Sequence, residues 1–295
     1  MVPFSDRIVF STDSVAVGAF RCSVSHPQFR TEGPIDHQSI VFPRSAVWIQ
    51  HAGQRPFVAD PRVITIYNLG QEYVRDVLSP EGDRSDWFGA TPAVARGIVR
   101  EIDPGAADLD RPFRVANAPS DPRLYLEQRH LFVRLDRGEL EPLEAEQAIL
   151  ELMARVIRRA HGSACPERRL GRRARDAHRD LADAARAELA RSVAFPVRLS
   201  SIAARLKVSP FHLCRVFREQ TGSTLHEYRL DVRLRVALER LGESRANLSQ
   251  LALDLGFSSH SHFTWALRRW ISVTPSAVRR LLSPFAEASR ARASA

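Results

Sequence analysis

The feature that most constrains this chain is an internal repeat in its second half. "LSSIAARLKVS" at 199–209 aligns with "LSQLALDLGFS" at 248–258 at an offset of 49. Leu199, Ile202, Ala203, Leu206, Val208 and Ser209 answer to Leu248, Leu251, Ala252, Leu255, Phe257 and Ser258. One residue is inserted after Ser258, and at offset 50 Leu213 and Phe217 match Phe263 and Leu267. In each copy the apolar residues keep helical time in two bursts separated by about four residues. The unit is a short helix, a tight turn and a second helix, used twice, which is helix-turn-helix grammar. Ala203 and Ala252 are small where two helices would cross. Ser209 and Ser258 are placed to cap the second helices, and Pro210 suits a first helical turn.

Each second helix turns an apolar side down: Leu213, Val216 and Phe217 in one, Phe263, Ala266, Leu267 and Trp270 in the other. The outer sides carry Phe211, Cys214, Arg215 and Arg218, then His260, Ser261, Thr264, Trp265 and Arg268, at spacings that keep each set together. Such a helix fits the major groove, where Arg grips guanine and apolar groups meet thymine methyls. Between the copies, "TLHEYRLDVRLRVALERLGES" (224–244) is helical in period throughout. Some 18 residues give a rod of about 27 Å. With its end turns it holds the two outer faces about 34 Å apart, one turn of B-DNA. The alternative is two helical hairpins packed as a plain bundle, which needs neither duplicated caps nor basic faces fifty residues apart.

Charge sorts along the chain in the same sense. The net charge is +9. Residues 1–154 hold 16 Arg and no Lys against 22 Asp and Glu. Residues 155–179 hold 9 Arg against 2 acids, and 180–295 hold 18 basic residues against 10 acids. A genome rich in Arg codons explains why Lys207 is the only lysine. It does not explain why the signs separate by position, which implies a polyanionic partner for the second half. No run of eighteen apolar residues predicts a membrane span, and "MVPFSDRIVF" is a poor secretory signal. Three widely separated cysteines (Cys22, Cys165, Cys214) fit a reducing compartment.

The first half reads differently. From 14 to 120, short runs such as "VAVGAFRCSV", "AVWIQH" and "RVITIYNL" alternate with Gly, Pro, Asn and Asp, predicting an antiparallel sandwich or small barrel. Helical period begins at "DPRLYLEQRHLFVRL", with Asp121 as N-cap, Pro122 at the first position and Gly138 as stop. A second helix follows with the stripe Ala145, Ala148, Ile149, Leu152, Met153, Val156 and Ala160. The expected organisation is an all-β domain over 1–120, helices over 121–161, a basic linker over 162–179, an all-α unit over 180–285 and a frayed tail over 286–295.

The residues of 180–282 resemble the AraC/XylS-type bacterial transcription regulators. The likeness is carried by "IAARLKVSPFHLCRVFREQTG", the connecting helix from Thr224, "LSQLALDLGFSSHSHFTWALRRW" and "TPSAVRR". It implies a double helix-turn-helix that reads two adjacent major-groove segments of double-stranded DNA. It assigns base readout to Phe211, Cys214 and Arg215, and to His260, Ser261, Thr264 and Trp265. It assigns phosphate contacts to Arg218, Arg268, Arg269 and the helix starts at Ser209 and Ser259. The sequence departs from the pattern at Trp265, where Arg is frequent, at Leu267, where Phe is frequent, and at Ser272, where Gly is frequent. A residue other than Gly at a left-handed helix end costs roughly 1 kcal/mol. Trp265 either meets a thymine methyl or folds onto the surface. The first half is similar, more weakly, to the family's cupin-like sensor domains, which implies a small-molecule effector, a homodimer and contact with RNA polymerase. The 141–160 stripe then either pairs two subunits or packs on its own barrel.

Chemistry-bearing motifs are sparse. His26, His37 and His51 stand singly, and His260 and His262 are not at a metal spacing, so no metal and no cofactor are expected. There is no GxSxG and no GxxxxGK[ST]. Asp83 and Asp86 in "PEGDRSDW" read as solvated turn acids. Cys22 lacks the thiol partners of the repair methyl acceptors that carry a similar module, and a redox role for Cys214 or Cys165 lacks a neighbouring thiol. The expectation is a cytoplasmic, nucleoid-associated, non-enzymatic regulator, activator or repressor. The rival is a cupin-type binding or catalytic protein with an incidental helical tail.

Overall fold

The Val-, Ile- and aromatic-rich runs of the first half do become strands. The computed structural model describes residues 4–162, 172–193, 195, 197–243 and 247–283. Ten strands form: β1 (Phe4–Ser11), β2 (Val15–Cys22), β3 (Thr31–Glu32), β4 (Gln38–Pro43), β5 (Val47–His51), β6 (Phe57–Ala59), β7 (Val63–Tyr67), β8 (Tyr73–Val77), β9 (Asp83–Ala90) and β10 (Asn117–Pro119). They pair antiparallel in two sheets, β1-β2-β9-β4-β7-β10 and β3-β8-β5-β6. Among the described residues no ladder joins the sheets, so the architecture is a sandwich rather than a closed barrel.

The inner strands of the six-stranded sheet are buried on both faces, which is why "VAVGAFRC" and "VITIY" lack polar alternation. One face presents Val17, Ile40, Ile64 and Phe88 to helices. The other presents Phe20, Cys22 and Trp87 to Val47 and Ile49 of the smaller sheet. Two of those helices were not foreseen, since 1–120 read as strands and turns. They are α1 (Pro92–Arg100) and the short α2 (Pro104–Ala107). Ala95 and Val99, four residues apart, are the face of α1 that the core covers.

Next come α3 (Pro122–Asp136) and α4 (Pro142–Gly162). Asp121 caps α3 by accepting from the Leu124 N–H at 2.9 Å, and Gly138 ends the segment at φ +65°. The α4 stripe resolves in one direction. Ala145, Ile149, Leu152, Met153, Val156 and Ala160 lie in the same core as the large sheet. Packing on the chain's own sandwich covers this face.

The second half holds α5 (Arg172–Arg191), α6 (Leu199–Arg205), α7 (Pro210–Thr221), α8 (Leu225–Glu243), α9 (Leu248–Asp254), α10 (His260–Ile271) and α11 (Pro275–Leu282). The expected linker 162–179 therefore ends earlier, because residues 172–179 open α5. Residues 163–171, with Cys165, and the expected tail 286–295 lie outside the described residues. The repeat builds two cores, not one bundle. Leu225, Tyr228 and Val232 at the start of α8 join α5, α6 and α7. Leu234, Ala237, Leu238 and Leu241 at its end join α9, α10 and α11. Nineteen residues of α8 make a rod of about 28 Å between them.

Candidate nucleic-acid interface

The two units repeat in backbone geometry as well as in sequence. Ser209 caps α7 by accepting from the His212 N–H at 3.2 Å. Ser259 caps α10 by accepting from the His262 N–H at 3.1 Å. The cap of the second unit is thus Ser259 and not Ser258, which the repeat alignment suggested. Ser258 lies 3.0 Å from His262 Nδ1 instead, because the inserted residue shifts the register by one. Inside the turns, Lys207 (φ +56°) and Gly256 (φ +75°) hold the same left-handed position. At the helix ends, Gly222 (φ +70°) and Ser272 (φ +61°) do likewise, with N–H groups returned to the Arg218 and Arg268 carbonyls.

With the apolar sides fixed in the two cores, the opposite sides face solvent. On α7, Phe211 is 80% exposed, and Cys214, Arg215 and Arg218 are also exposed. Arg215 is held along the helix by both Glu219 carboxylate oxygens, at 2.9 and 3.1 Å, with His212 Nδ1 at 3.3 Å. On α10, His260, Ser261, Thr264, Trp265, Arg268 and Arg269 line one shallow depression. Trp265 is 58% exposed, with the Arg269 guanidinium 5.5 Å from its ring centre. It is not folded into the core. The structure thus brings the second set together at one open face. Trp265 stands at offset 50 from Arg215, so the two faces differ in chemistry at an equivalent position.

Sequence reasoning missed the junction between the halves. Asp83 and Asp86, read as solvated turn acids, are buried in β9. Asp86 accepts from Arg129 Nη1 at 2.5 Å and from Gln128 Nε2 at 2.9 Å, both on α3. Arg129 Nε also lies 3.1 Å from Glu239 on α8. Arg44 Nε donates to Glu239 at 2.5 Å and its Nη2 to Glu243 at 2.6 Å. Burial alone would raise the Glu239 carboxyl, but Arg129 and Arg44 outweigh it and hold the group below its ordinary range. One turn earlier on α8, the buried Arg235 donates to the carbonyls of Pro61 at 2.7 Å and Ser120 at 2.6 Å. The only signal available in the sequence was charge on the inner side of the rod, at Arg235 and Glu239.

A cavity of about 100 Å³ lies between the two sheets, walled by Phe20, Ile49, Tyr67 and Trp87 among others. Asp83 reaches it and is paired with the wholly buried Arg75 at 2.7 Å. Burial pushes the Asp83 carboxyl up, against the pull of Arg75. Among the described residues no group of three or more His, Cys, Asp or Glu is placed to hold a metal ion.

Known proteins resemble this second half. A family model described as a helix-turn-helix domain matches residues 202–281. The HTH-type transcriptional regulator GlxA of Rhizobium meliloti is 38% identical over 85 residues, 29% of this chain and 26% of GlxA. The regulatory protein SoxS of Salmonella typhimurium is 33% identical over 87 residues, 30% of this chain and 81% of SoxS. This chain belongs to the AraC family. The AraC-family match runs from α6 to α11 and omits α5, although Ala182, Ala185 and Leu189 of α5 help close the first core. The chain spans about a quarter of the length of GlxA. Among solved structures, apo ToxT from Vibrio cholerae aligns with 92% of this AraC-family chain at 11% identity and a TM-score of 0.40, too slight a likeness to bear on the sandwich or its cavity.

Proposed function

We propose that this chain is a sequence-specific DNA-binding transcription regulator. The observation that carries the reading is the pair of helix-turn-helix units, each closed by its own core on one rod, with both outer faces in solvent. Base edges are read by Phe211, Cys214 and Arg215 of one face and by His260, Ser261, Thr264 and Trp265 of the other. Arg218, Arg268, Arg269 and the capped starts at Ser209 and Ser259 hold phosphates. The first half is a cupin-like sensor whose cavity takes a small-molecule effector. The regulator acts in the cytoplasm, on the nucleoid, as a homodimer that contacts RNA polymerase, and it carries out no catalysis. No helix among the described residues is long and apolar enough to cross a membrane.

The test uses the whole chain, because Tyr125 and Val133 of α3 complete the second core. Selection from random duplexes should return a site with two segments about one helical turn apart. Arg215→Ala should cost about 1–3 kcal/mol at one base pair of that site. Equal affinity for all duplexes, or equal weakening of Arg215→Ala on random DNA, would remove the readout reading.

A further inference from the structure

The cavity between the sheets has a chemical preference, an inference that rests on reading the first half as a sensor. Its rim is a built array. Trp87 Nε1 donates to Asp6 at 2.7 Å, the His37 ring stands 4.6 Å from the Trp87 ring, and His37 Nδ1 pairs with Asp36. Two strand glycines make room for it. A Cβ at Gly18 would stand 2.4 Å from the Trp87 ring, and one at Gly89 would stand 1.9 Å from His37. Glycine inside a strand forfeits packing, so its use here marks a close approach that the fold requires.

The charges of the wall are unequal. Asp83 is met by Arg75, whose Nε is also bound by the Phe29 carbonyl at 2.9 Å and whose guanidinium lies 4.7 Å from the Phe20 ring centre. Asp36 has His37. Asp6 has the indole N–H, with His37 nearby, but no Lys or Arg lines the cavity among the described residues. Partial burial, followed by the nearby Asp36, raises the carboxyl of Asp6, an edge-strand residue still open to solvent, against the Trp87 N–H and His37. A second polar group lies behind the cavity wall. His51 shares the inward face of β5 with Val47 and Ile49, is wholly buried, and leaves both ring nitrogens without a hydrogen-bond partner. Its ring stands 4.7 Å from Tyr67, a wall residue.

An anionic ligand would meet carboxylates here and find no Lys or Arg among the described residues of the lining. An ammonium group gains a charge-assisted hydrogen bond to Asp6 and the aromatic faces beside it. We propose that the cavity binds a small organic ammonium ion, with its charge at Asp6 and its apolar body against Trp87 and Phe20.

The experiment is calorimetric titration of the full chain at neutral pH with three skeletons, butyl, phenethyl and indolylethyl, each as ammonium, alcohol and carboxylate. The expected result is at least one skeleton whose ammonium form binds ten-fold or more tighter than its alcohol, with no binding of its carboxylate. Asp6→Asn should remove most of that preference, and Asp36→Asn less of it. Binding of the carboxylates, equal binding of alcohols and ammonium ions, no binding of any ammonium, or indifference to Asp6→Asn would each overturn the proposal. A gel shift with the bound ammonium separates the two readings. Unchanged DNA affinity would end the effector role while leaving the selectivity of the cavity intact.

Discussion

The phenol of Tyr125 donates to a carboxylate oxygen of Glu239 at 2.8 Å, joining the helix that flanks the sandwich to the rod that carries both helix-turn-helix units. Burial and the Glu239 charge push the Tyr125 hydroxyl well above its ordinary value, so it remains a donor. Arg44 and Arg129 complete the carboxylate's shell. The strands behind this cluster also wall the cavity. Ser85 and Trp87 of β9 face the cavity, while Asp86 between them faces the cluster. Pro43 lines the cavity and Arg44 follows it directly.

Glu239→Gln should therefore destabilise the chain by about 3–5 kcal/mol, since two buried arginines lose a shared anion. Tyr125→Phe should cost about 1.5–3 kcal/mol alone and less in the Glu239→Gln background. Chemical denaturation of the four proteins measures the coupling. Because the folded Glu239 is held below its unfolded value, its contribution is complete above about pH 4.5 and fades as the pH falls through the folded value. Additive costs would show that Tyr125 and Glu239 act separately.

Trp265 and Arg215 should read different bases. Replacing thymine by deoxyuridine in the segment facing α10 removes only a methyl, worth about 0.8 kcal/mol when buried. Affinity should drop about four-fold for the parent chain and remain level for Trp265→Ala. A guanine replacement opposite α7 should be felt through Arg215 instead. Anisotropy titrations on the substituted duplexes check both. A methyl effect that persists in Trp265→Ala would assign it to another residue.

His51 should make stability depend on pH. Burial lowers its imidazole from 6.5 to about 4. Between those values the unfolded chain takes up a proton that the folded chain refuses. The contribution is present above pH 6.5 and is lost as the pH falls towards 4, amounting to about 3 kcal/mol. His51→Phe keeps an aromatic ring beside Phe57 and Tyr67 and should flatten that slope. Parallel pH–stability curves for the two proteins would contradict the assignment.

Lys207 and Ser272 adopt left-handed backbone where the other copy of the repeat has Gly256 and Gly222. Lys207→Gly and Ser272→Gly should each stabilise by about 0.5 kcal/mol, the relief of strain exceeding the added chain entropy. Thermal unfolding shifted upward by a degree or more reads this. A loss of stability would mean that the side chains contribute contacts beyond the strain they impose.

The helix-turn-helix units were legible because their determinants are local. Cap, turn and apolar stripe fall within twenty residues, and duplication shows each of them twice. Ser209, the exposed face of Phe211, Cys214 and Arg215, and the rod all follow from helical period, and the Ser272 departure did mark a left-handed position. The one-residue slip from Ser258 to Ser259 arose where the repeat itself changes length. The first half was legible only as strands. Period cannot say which strands share a sheet, so Asp83 and Asp86, close after Gly82, resembled a turn although their charges are answered by Arg75 of β8, in the other sheet, and by Arg129 of α3. The same limit hid the cavity, the orphaned His51 and the buried contacts of Arg235. Local pattern suffices where a residue's partners lie within a helical turn or two. Where a charge is matched across more than a hundred residues, as Arg44 is by Glu239, only the packed chain brings the partners together.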